Sequence, residues 1–186
     1  MSLAALDVHL TESDATAALR ADAAAGLTAE PKVLPPKWFY DARGSELFEQ
    51  ITELPEYYPT RTERALLADS VDDIAAASGA DTIVELGSGS STKTRLLLDA
   101  FIRAGILRSY VPQDVSEAAL RGALDTLADE YPDLELRGVV GDFTRDLGRL
   151  PRGGRRMIAF LGGTIGNLLP AERAAFLAHV RSVLDP

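Results

Sequence analysis

The stretch Val84–Thr94, VELGSGSSTKT, combines residue types that could bind a charged ligand. A short apolar run leads into Gly87 and Gly89, with four small hydroxyl residues placed before Lys93. Glycine lets the backbone adopt positive φ and approach a ligand closely. A helix that starts directly after the loop would present free N–H groups to the same ligand. The stretch therefore predicts a ligand-binding loop between a strand and a helix; the plain alternative is a tight turn.

Two phosphate-binding patterns almost fit this loop. A P-loop would have Gly-Lys-Thr where this chain has Thr92-Lys93-Thr94. A dinucleotide-binding loop would have a third glycine after Gly87 and Gly89, at the position of Thr92. A P-loop also needs an aspartate to hold magnesium, but the later strand-like run MIAFLGGT ends in glycines. Each pattern lacks a defining residue, and a P-loop-like nucleotide-binding protein stays as the alternative.

Acidic residues around the loop favour S-adenosylmethionine as the ligand. Glu85 precedes the first glycine, where a carboxylate suits the ammonium of a methionine group better than a pyrophosphate. Asp114 ends the next strand-like run, at the spacing where a carboxylate reaches ribose hydroxyls, or else it caps the helix that begins near Ser116. In the later GDF motif, Asp142 could accept from an adenine amino group and Phe143 could pack on the base.

The elements that would position these residues alternate in type from residue 81 onward. Strand-like runs DTIVELG, RSYVPQDVS, LELRGVVGDF and RRMIAFLGGTIGN are separated by helical segments, and the helix PAERAAFLAHVRSVL follows the last run. This order predicts βαβ units, and hence an α/β Rossmann-like fold with a parallel sheet covered on both faces. Pro112 must lie where the sheet needs no backbone donor.

The first 80 residues read differently, as helices separated by proline-rich loops. Ser13 is the predicted N-cap and Gly26 the predicted end of the first helix. We therefore predict two parts: residues 1–80 as an N-terminal helical segment with substrate-facing loops, and residues 81–186 as the Rossmann-like core. The sequence ends in VLDP, directly after a helix, where a fifth strand should follow. We expect a truncated core whose sheet a second chain or a missing C-terminal region completes.

Composition narrows the class of protein further. The 186 residues carry a formal net charge of −9, which disfavours nucleic-acid partners. Cysteine is absent, which excludes disulfides and thiolate chemistry, and the two histidines stand in no metal-ligand spacing, so no metal site is expected. Neither a signal peptide nor an apolar run of membrane-spanning length is present. The default prediction is a soluble, cytoplasmic protein.

Five ordered blocks carry a resemblance to a known family. At PPKWFYD, LPEYYPTRTE, VELGSGSSTKT, GDF and FLGGTIGN, from about residue 10 to the end, the chain resembles the histidine-specific N-alpha-methyltransferases of ergothioneine biosynthesis. The resemblance implies a Rossmann-like class I methyltransferase domain and a second domain largely beyond residue 186. It also implies transfer of three methyl groups from S-adenosylmethionine to the α-amino group of L-histidine, giving hercynine.

The resemblance also implies roles for single residues. The residues implied at the cofactor are Gly87, Lys93, Asp114, Asp142 and Phe143, beside Glu85 and Gly89 of the same loop. Tyr57, Gly162 and Asn167 would contact the substrate histidine, and Tyr40 would approach its amine. Lys93 could pair with the cofactor carboxylate, or be a solvated lysine of the first helical turn. Asn167 could present its amide to the substrate, or be a turn residue before Pro170.

The chain departs from the family in one respect. The tyrosine, glutamate and serine with which the family's second domain binds the imidazole of histidine have no counterpart among these residues. A non-catalytic fragment that needs a partner chain is therefore the remaining alternative.

Overall fold

The structure, a computed structural model, describes residues 4–184, apart from the side chain of Ala42. Its centre is a parallel five-stranded sheet. The strands are β1 (Ala4–Val8), β2 (Thr82–Leu86), β3 (Ser109–Asp114), β4 (Glu135–Val140) and β5 (Arg156–Ala159), and their order across the sheet is β1-β4-β3-β2-β5.

Six α-helices accompany the strands among the described residues. They are α1 (Glu12–Thr28), α2 (Ala42–Thr52), α3 (Pro59–Ser78), α4 (Thr94–Arg103), α5 (Glu117–Glu130) and α6 (Pro170–Val183). Short 3-10 segments occupy Pro36–Phe39, Leu147–Arg149 and Thr164–Asn167. The described chain separates into two compact units: residues 10–58, here the helical unit, and residues 4–9 with 59–184, here the sheet unit. This division differs from the predicted boundary at residue 80, because α3 and β1 pack with the sheet.

Strand β2 lies at the centre of the sheet unit and is buried along its whole length. Successive side chains of a strand point to opposite faces. Ile83 accordingly joins one apolar cluster with α3, α4 and α5, whereas Val84 and Leu86 join the other with Phe176 of α6. Burial of both faces explains why Ile83 and Val84 are both apolar, with no alternation between them.

The proline within β3 interrupts the ladder on one side only. The pairing with β2 is continuous, but the pairing with β4 runs from Tyr110↔Leu136 directly to Gln113↔Val139 and leaves out the two residues between. Pro112 thus stands where no ladder with β4 is formed, as its missing N–H requires.

The strand β1 was not predicted, and the prediction of helices alone for the first third of the chain was wrong there. AALDV has no clear alternation and few β-branched residues, so no local pattern marks it. It becomes a strand through pairing with β4, from Ala4↔Leu136 to Val8↔Val140. Such a contact across more than a hundred residues leaves no signal in the local sequence.

The bounds of α1 also differ from the prediction. Thr11, rather than Ser13, is the N-cap, because its Oγ1 accepts from Asp14 N and Asp14 Oδ2 accepts in return from Thr11 N at 3.1 Å. The helix continues past Gly26 to Thr28. That glycine serves close packing instead, since a Cβ there would lie 1.8 Å from the carbonyl oxygen of Val33. None of the helices within residues 4–184 is long and apolar enough to cross a membrane.

Candidate functional site

The loop after β2 forms a tight turn at the carboxyl edge of the sheet. Gly87 and Gly89 have φ of 68° and 50°, and Ser91 has φ of 53°. The N–H groups of Gly87 and Ser88 donate to the carbonyl oxygen of Gln113 on β3, at 2.8 and 3.1 Å. The loop is therefore tied to the neighbouring strand before it turns into α4. Helix α4 starts at Thr94 without a side-chain cap, so no capping side chain occupies its N-terminus, although Leu96 N donates to the carbonyl oxygen of Lys93.

Asp114 fixes this loop from the end of β3. One carboxylate oxygen accepts from Gly89 N and the other from Ser116 N, both at 2.9 Å. The N-cap of α5 is Ser116, whose hydroxyl accepts from Ala119 N, so capping is not what Asp114 does. Asp114 is instead a half-buried carboxylate that shapes the glycine loop.

Glu85 lies beneath the same loop, 4% exposed. Its Oε2 accepts from the hydroxyls of Thr94 and of Tyr110, the latter at 2.5 Å, and Tyr110 in turn lies 2.9 Å from Ser91 Oγ. Burial raises the pKa of Glu85 to about 7, although both hydroxyls and the nearby Lys93 oppose that shift. Burial and the adjacent carboxylate likewise raise the pKa of Tyr110. These contacts connect Glu85, at the end of β2, to Thr94, the first residue of α4.

Lys93 is held by a carboxylate that the sequence analysis did not single out. Its Nζ donates to Glu63 Oε2, and the other carboxylate oxygen of Glu63 accepts from Gly162 N at 2.5 Å. The side chains of Lys93 and Glu63 are 26% and 31% exposed. Lys93 is thus paired rather than a freely solvated lysine. The only sequence signal for Glu63 was its place in the block PTRTE, which carries part of the family resemblance.

Asp142 and Phe143 form the loop after β4. Asp142 is buried, and its Oδ1 accepts from the N–H of Thr144 at 2.9 Å and from its hydroxyl at 2.5 Å. The ring of Phe143 packs edge-on against Phe160 and Phe176, with centroids 5.1 and 5.6 Å away. The sequence analysis did not identify these two phenylalanines. A Cβ on Gly87 would lie 4.0 Å from the ring of Phe143, so the loops after β2 and β4 adjoin.

The loop after β5 lies across β2 from β3. Because β3 and β5 flank β2, the chain reverses its direction of progress across the sheet here, which is where open α/β sheets bind ligands. Gly162, with φ of 80°, adjoins Lys93, whose Nζ would lie 3.7 Å from a Cβ at that position. Asn167 is exposed and ends the 3-10 segment Thr164–Asn167.

The two candidate tyrosines belong to the helical unit. Tyr40 and Tyr57 both pack edge-on against the ring of Phe48, with centroids 5.6 and 6.0 Å from it. Tyr40 is 42% exposed and Tyr57 is half-buried. Asp41 caps α2 through Gly44 N directly after Tyr40. The structure therefore shows how these tyrosines are held within their own unit; their roles stay predictions.

The residues at the carboxyl edge fit S-adenosylmethionine. Nothing among the described residues lies within 4 Å of a Cβ placed on Gly89, so the backbone faces open space there. The hydroxyl of Ser88 and the amide of Gln113 are buried without a hydrogen-bond partner among residues 4–184. Polar groups of that kind mark a place where a polar molecule can bind. Asp114, Lys93 and the start of α4 supply groups for hydroxyls and a carboxylate.

Solved structures define the class of the fold. The chain is similar to the magnesium protoporphyrin IX methyltransferase of Synechocystis PCC 6803, with TM-scores of 0.57 and 0.58 for the structures that hold SAM and SAH. Each likeness covers 80% of this chain, with 70% and 66% of the other chain, at 16% identity. A mitomycin 7-O-methyltransferase is similar as well, with a TM-score of 0.53 over 81% of this chain and 40% of that one, at 19% identity. The fold is that of the class I methyltransferases, as predicted.

The sequence gives the particular family. Residues 19–186 match the family model described as histidine-specific methyltransferase, SAM-dependent, and the chain belongs to that family. The predicted resemblance is therefore confirmed, and nothing in the comparisons supports the P-loop alternative.

Curated relatives agree with this assignment. The chain is 56% identical to the histidine N-alpha-methyltransferase of Mycolicibacterium smegmatis and 52% identical to that of Mycobacterium tuberculosis, each over 96% of this chain. It is 35% identical to ergothioneine biosynthesis protein 1 of Schizosaccharomyces pombe, over 82% of this chain and 21% of that protein. The chain spans 56% of the length of both mycobacterial relatives.

Proposed function

We propose that this protein uses S-adenosylmethionine to methylate the α-amino group of L-histidine three times, giving hercynine. The observation that carries the proposal is the glycine loop after β2, which Asp114 holds open beside the start of α4. Membership of the histidine-specific family and the names of the mycobacterial relatives support histidine as the substrate and ergothioneine biosynthesis as the setting.

Each cofactor group has a proposed partner in the sheet unit. Asp114 would accept from the ribose hydroxyls, and Lys93 would pair with the carboxylate of the methionine end. The backbone of Gly87 and Gly89 would lie against the ligand. Glu85 would act from below the loop: its carboxylate is engaged by Thr94 and Tyr110, and its charge would favour a cationic ligand above it.

The adenine end has its own proposed partners. Asp142 would accept from the adenine amino group, and Phe143 would pack on the base. The edge-on packing of Phe143 against Phe160 and Phe176 supports this role, because it fixes the ring next to the glycine loop.

For the substrate, we propose the contacts that the family resemblance implies. Gly162 and Asn167, after β5, would bind the amino-acid end of histidine, with the amide of Asn167 offering a donor and an acceptor. Tyr57 would bind the substrate too, and the hydroxyls of Tyr40 and Tyr57 would hold its amine. We also propose, as predicted, that loops within residues 1–80 face the substrate and that the cofactor binds within residues 81–186. We further propose a cytoplasmic location.

The chemistry asks little acid–base work of the protein. S-adenosylmethionine, when bound, supplies an electrophilic methyl group on a sulfonium. The residues of this chain would contribute placement, because holding a neutral amine in line with that methyl group accounts for much of the barrier reduction in such transfers. No residue here is assigned as a strong general base.

Mass spectrometry of the products tests the proposal. The purified protein, given histidine and S-adenosylmethionine, should yield mono-, di- and trimethylhistidine in succession. The length of the mycobacterial relatives favours one further possibility, a chain that binds the cofactor and needs further protein for catalysis. Absence of all three products together with binding of S-adenosylhomocysteine supports that possibility. Absence of both would contradict the proposed function.

A further inference from the structure

The carboxylate of Glu63 joins two loops of the site that the sequence does not connect. Glu63 lies in the second turn of α3, and its two oxygens are used separately, one by Lys93 Nζ and the other by Gly162 N. Lys93 belongs to the loop after β2 and Gly162 to the loop after β5. One side chain therefore holds the proposed cofactor loop and the proposed substrate loop at a fixed separation.

We infer that Glu63 is a positioning residue that prepares Lys93 for the carboxylate of an amino-acid ligand end. This inference rests on the proposed function, since S-adenosylmethionine is the ligand that would supply that carboxylate.

The physical case starts from the flexibility of lysine. A lysine side chain has many rotamers, and fixing it costs about 2 kcal/mol of entropy at most. The pair with Glu63 fixes Lys93 before any ligand arrives, so that less of this entropy is lost on binding. An ammonium has three donors, and one bond to Glu63 leaves donors for the ligand carboxylate.

The surroundings of Lys93 support positioning over simple charge neutralisation. The Lys93 ammonium also acts electrostatically on Glu85, so one further carboxylate already stands near this lysine. Glu63 adds a direct contact, and it does so while accepting from a backbone N–H of another loop. A neutralising carboxylate would need no such second bond.

Glutamine separates the two contacts. In Glu63→Gln, the amide oxygen can still accept from Gly162 N, but the ion pair with Lys93 is lost. In Glu63→Ala, both contacts are lost. Asp73→Asn, at an exposed position of the same helix, is the matched control for a change in charge.

Calorimetric titration with S-adenosylhomocysteine gives the main readout. Loss of a half-buried ion pair corresponds to a decrease in affinity of about threefold to tenfold in Glu63→Gln, with no change in Asp73→Asn. If Glu63 acts through Lys93, Glu63→Gln should cause no further loss of affinity when Lys93 is already methionine. If Glu63 had a general structural role, affinity would fall in the Lys93→Met background as well. Amide hydrogen exchange should show Gly162 protected in the wild type and in Glu63→Gln, but not in Glu63→Ala.

Unchanged or tighter binding by Glu63→Gln would overturn the inference, as would a full effect of this change in the Lys93→Met background. Failure of the wild type to bind S-adenosylhomocysteine is a different result, which overturns the proposed function and this inference together. Should Glu63→Gln not fold by circular dichroism, Glu63→Asp replaces it. This change keeps the charge but shortens the side chain by one methylene, so Lys93 is no longer fixed at its present position and affinity for S-adenosylhomocysteine should again fall.

Discussion

The loop that follows β2 and the loop that follows β5 lie on neighbouring strands, yet they are held in different ways. The first is fixed by groups of β3: Asp114 binds Gly89 N, and the carbonyl of Gln113 binds two further N–H groups. The second is largely exposed around Gly162, whose N–H donates to the carboxylate of Glu63.

This difference between the two loops agrees with the roles that we propose for them, cofactor binding for the first and substrate binding for the second. A loop fixed by buried contacts presents the same shape to every ligand, which suits a cofactor that is used in each reaction. A loop with an exposed segment can adjust, which suits a substrate that must enter and leave. Four substitutions test whether the two loops really differ in this way.

The largest effect, on the free energy of unfolding, is expected at Glu85, the buried residue of β2 that precedes the first loop. Its pKa is about 7 in the folded protein against 4.5 ordinarily, so between these pH values the folded state binds the proton more tightly than the unfolded chain. The free energy of unfolding should therefore fall as pH rises through this window, by about 3 kcal/mol from this group, and level off above pH 7. Glu85→Gln should remove this fall.

Urea unfolding at a series of pH values from 4.5 to 8 measures this change in the free energy of unfolding. Glu135→Gln, at an exposed glutamate of β4, is the control and should keep the pH dependence of the wild type. If Glu85→Gln shows the same slope as the wild type, the carboxylate does not titrate as its burial implies.

The next effect is expected at Asp114. Asp114→Ala leaves Gly89 N and Ser116 N without their acceptor and removes the proposed ribose contact. Hydrogen bonds to a charged group contribute about 1.5–3 kcal/mol, so affinity for S-adenosylhomocysteine should fall by about tenfold to a hundredfold. Calorimetry measures this, with Asp125→Ala, an exposed aspartate of α5, as control. An equal loss in both variants would mean that net charge, rather than the loop, governs binding.

At the second loop, Asn167→Ala should weaken histidine binding by about tenfold, the value of one well-placed polar contact, and leave cofactor affinity unchanged. Titrating histidine into the protein saturated with S-adenosylhomocysteine measures this. The opposite pattern, with cofactor affinity reduced and histidine affinity intact, would exchange the roles of the two loops.

The smallest effect is expected for Gly162→Ala. A φ of 80° is costly for alanine, by about 1 kcal/mol, and the new Cβ would lie in ordinary contact with Lys93 Nζ, at 3.7 Å. Because the second loop is exposed, we expect the strain to be absorbed locally. Histidine affinity should fall about threefold, with little change in the melting temperature. A large loss of thermal stability would show that this loop is as tightly built as the first.

The same contrast explains how much the sequence alone could predict. The first loop could be predicted because its signals are adjacent in the sequence: an apolar run, two glycines and the start of a helix. Asp114 could be predicted because it stands at the end of the next strand. The strands and helices after residue 81 followed from that alternation. Local pattern was sufficient wherever the partners are close in the chain or lie at equivalent ends of parallel strands.

The contacts that sequence reasoning missed are distant ones. Glu63 precedes Lys93 by 30 residues and Gly162 by 99. Tyr110 lies 25 residues from Glu85, whose contact with it depends on the register of β2 against β3. Strand β1 exists only through pairing with β4. No local sequence pattern around these residues indicates which distant residue they contact. These contacts could therefore be seen only in the tertiary structure.

Calorimetric titration of the wild-type protein with S-adenosylhomocysteine, and separately with ATP and magnesium, tests the central claim most directly. That claim is that the loop after β2 is built for a nucleoside linked to an amino acid rather than for phosphates. We expect saturable binding of S-adenosylhomocysteine and no heat of binding from ATP with magnesium. Binding of ATP with magnesium, with no response to S-adenosylhomocysteine, would contradict the account.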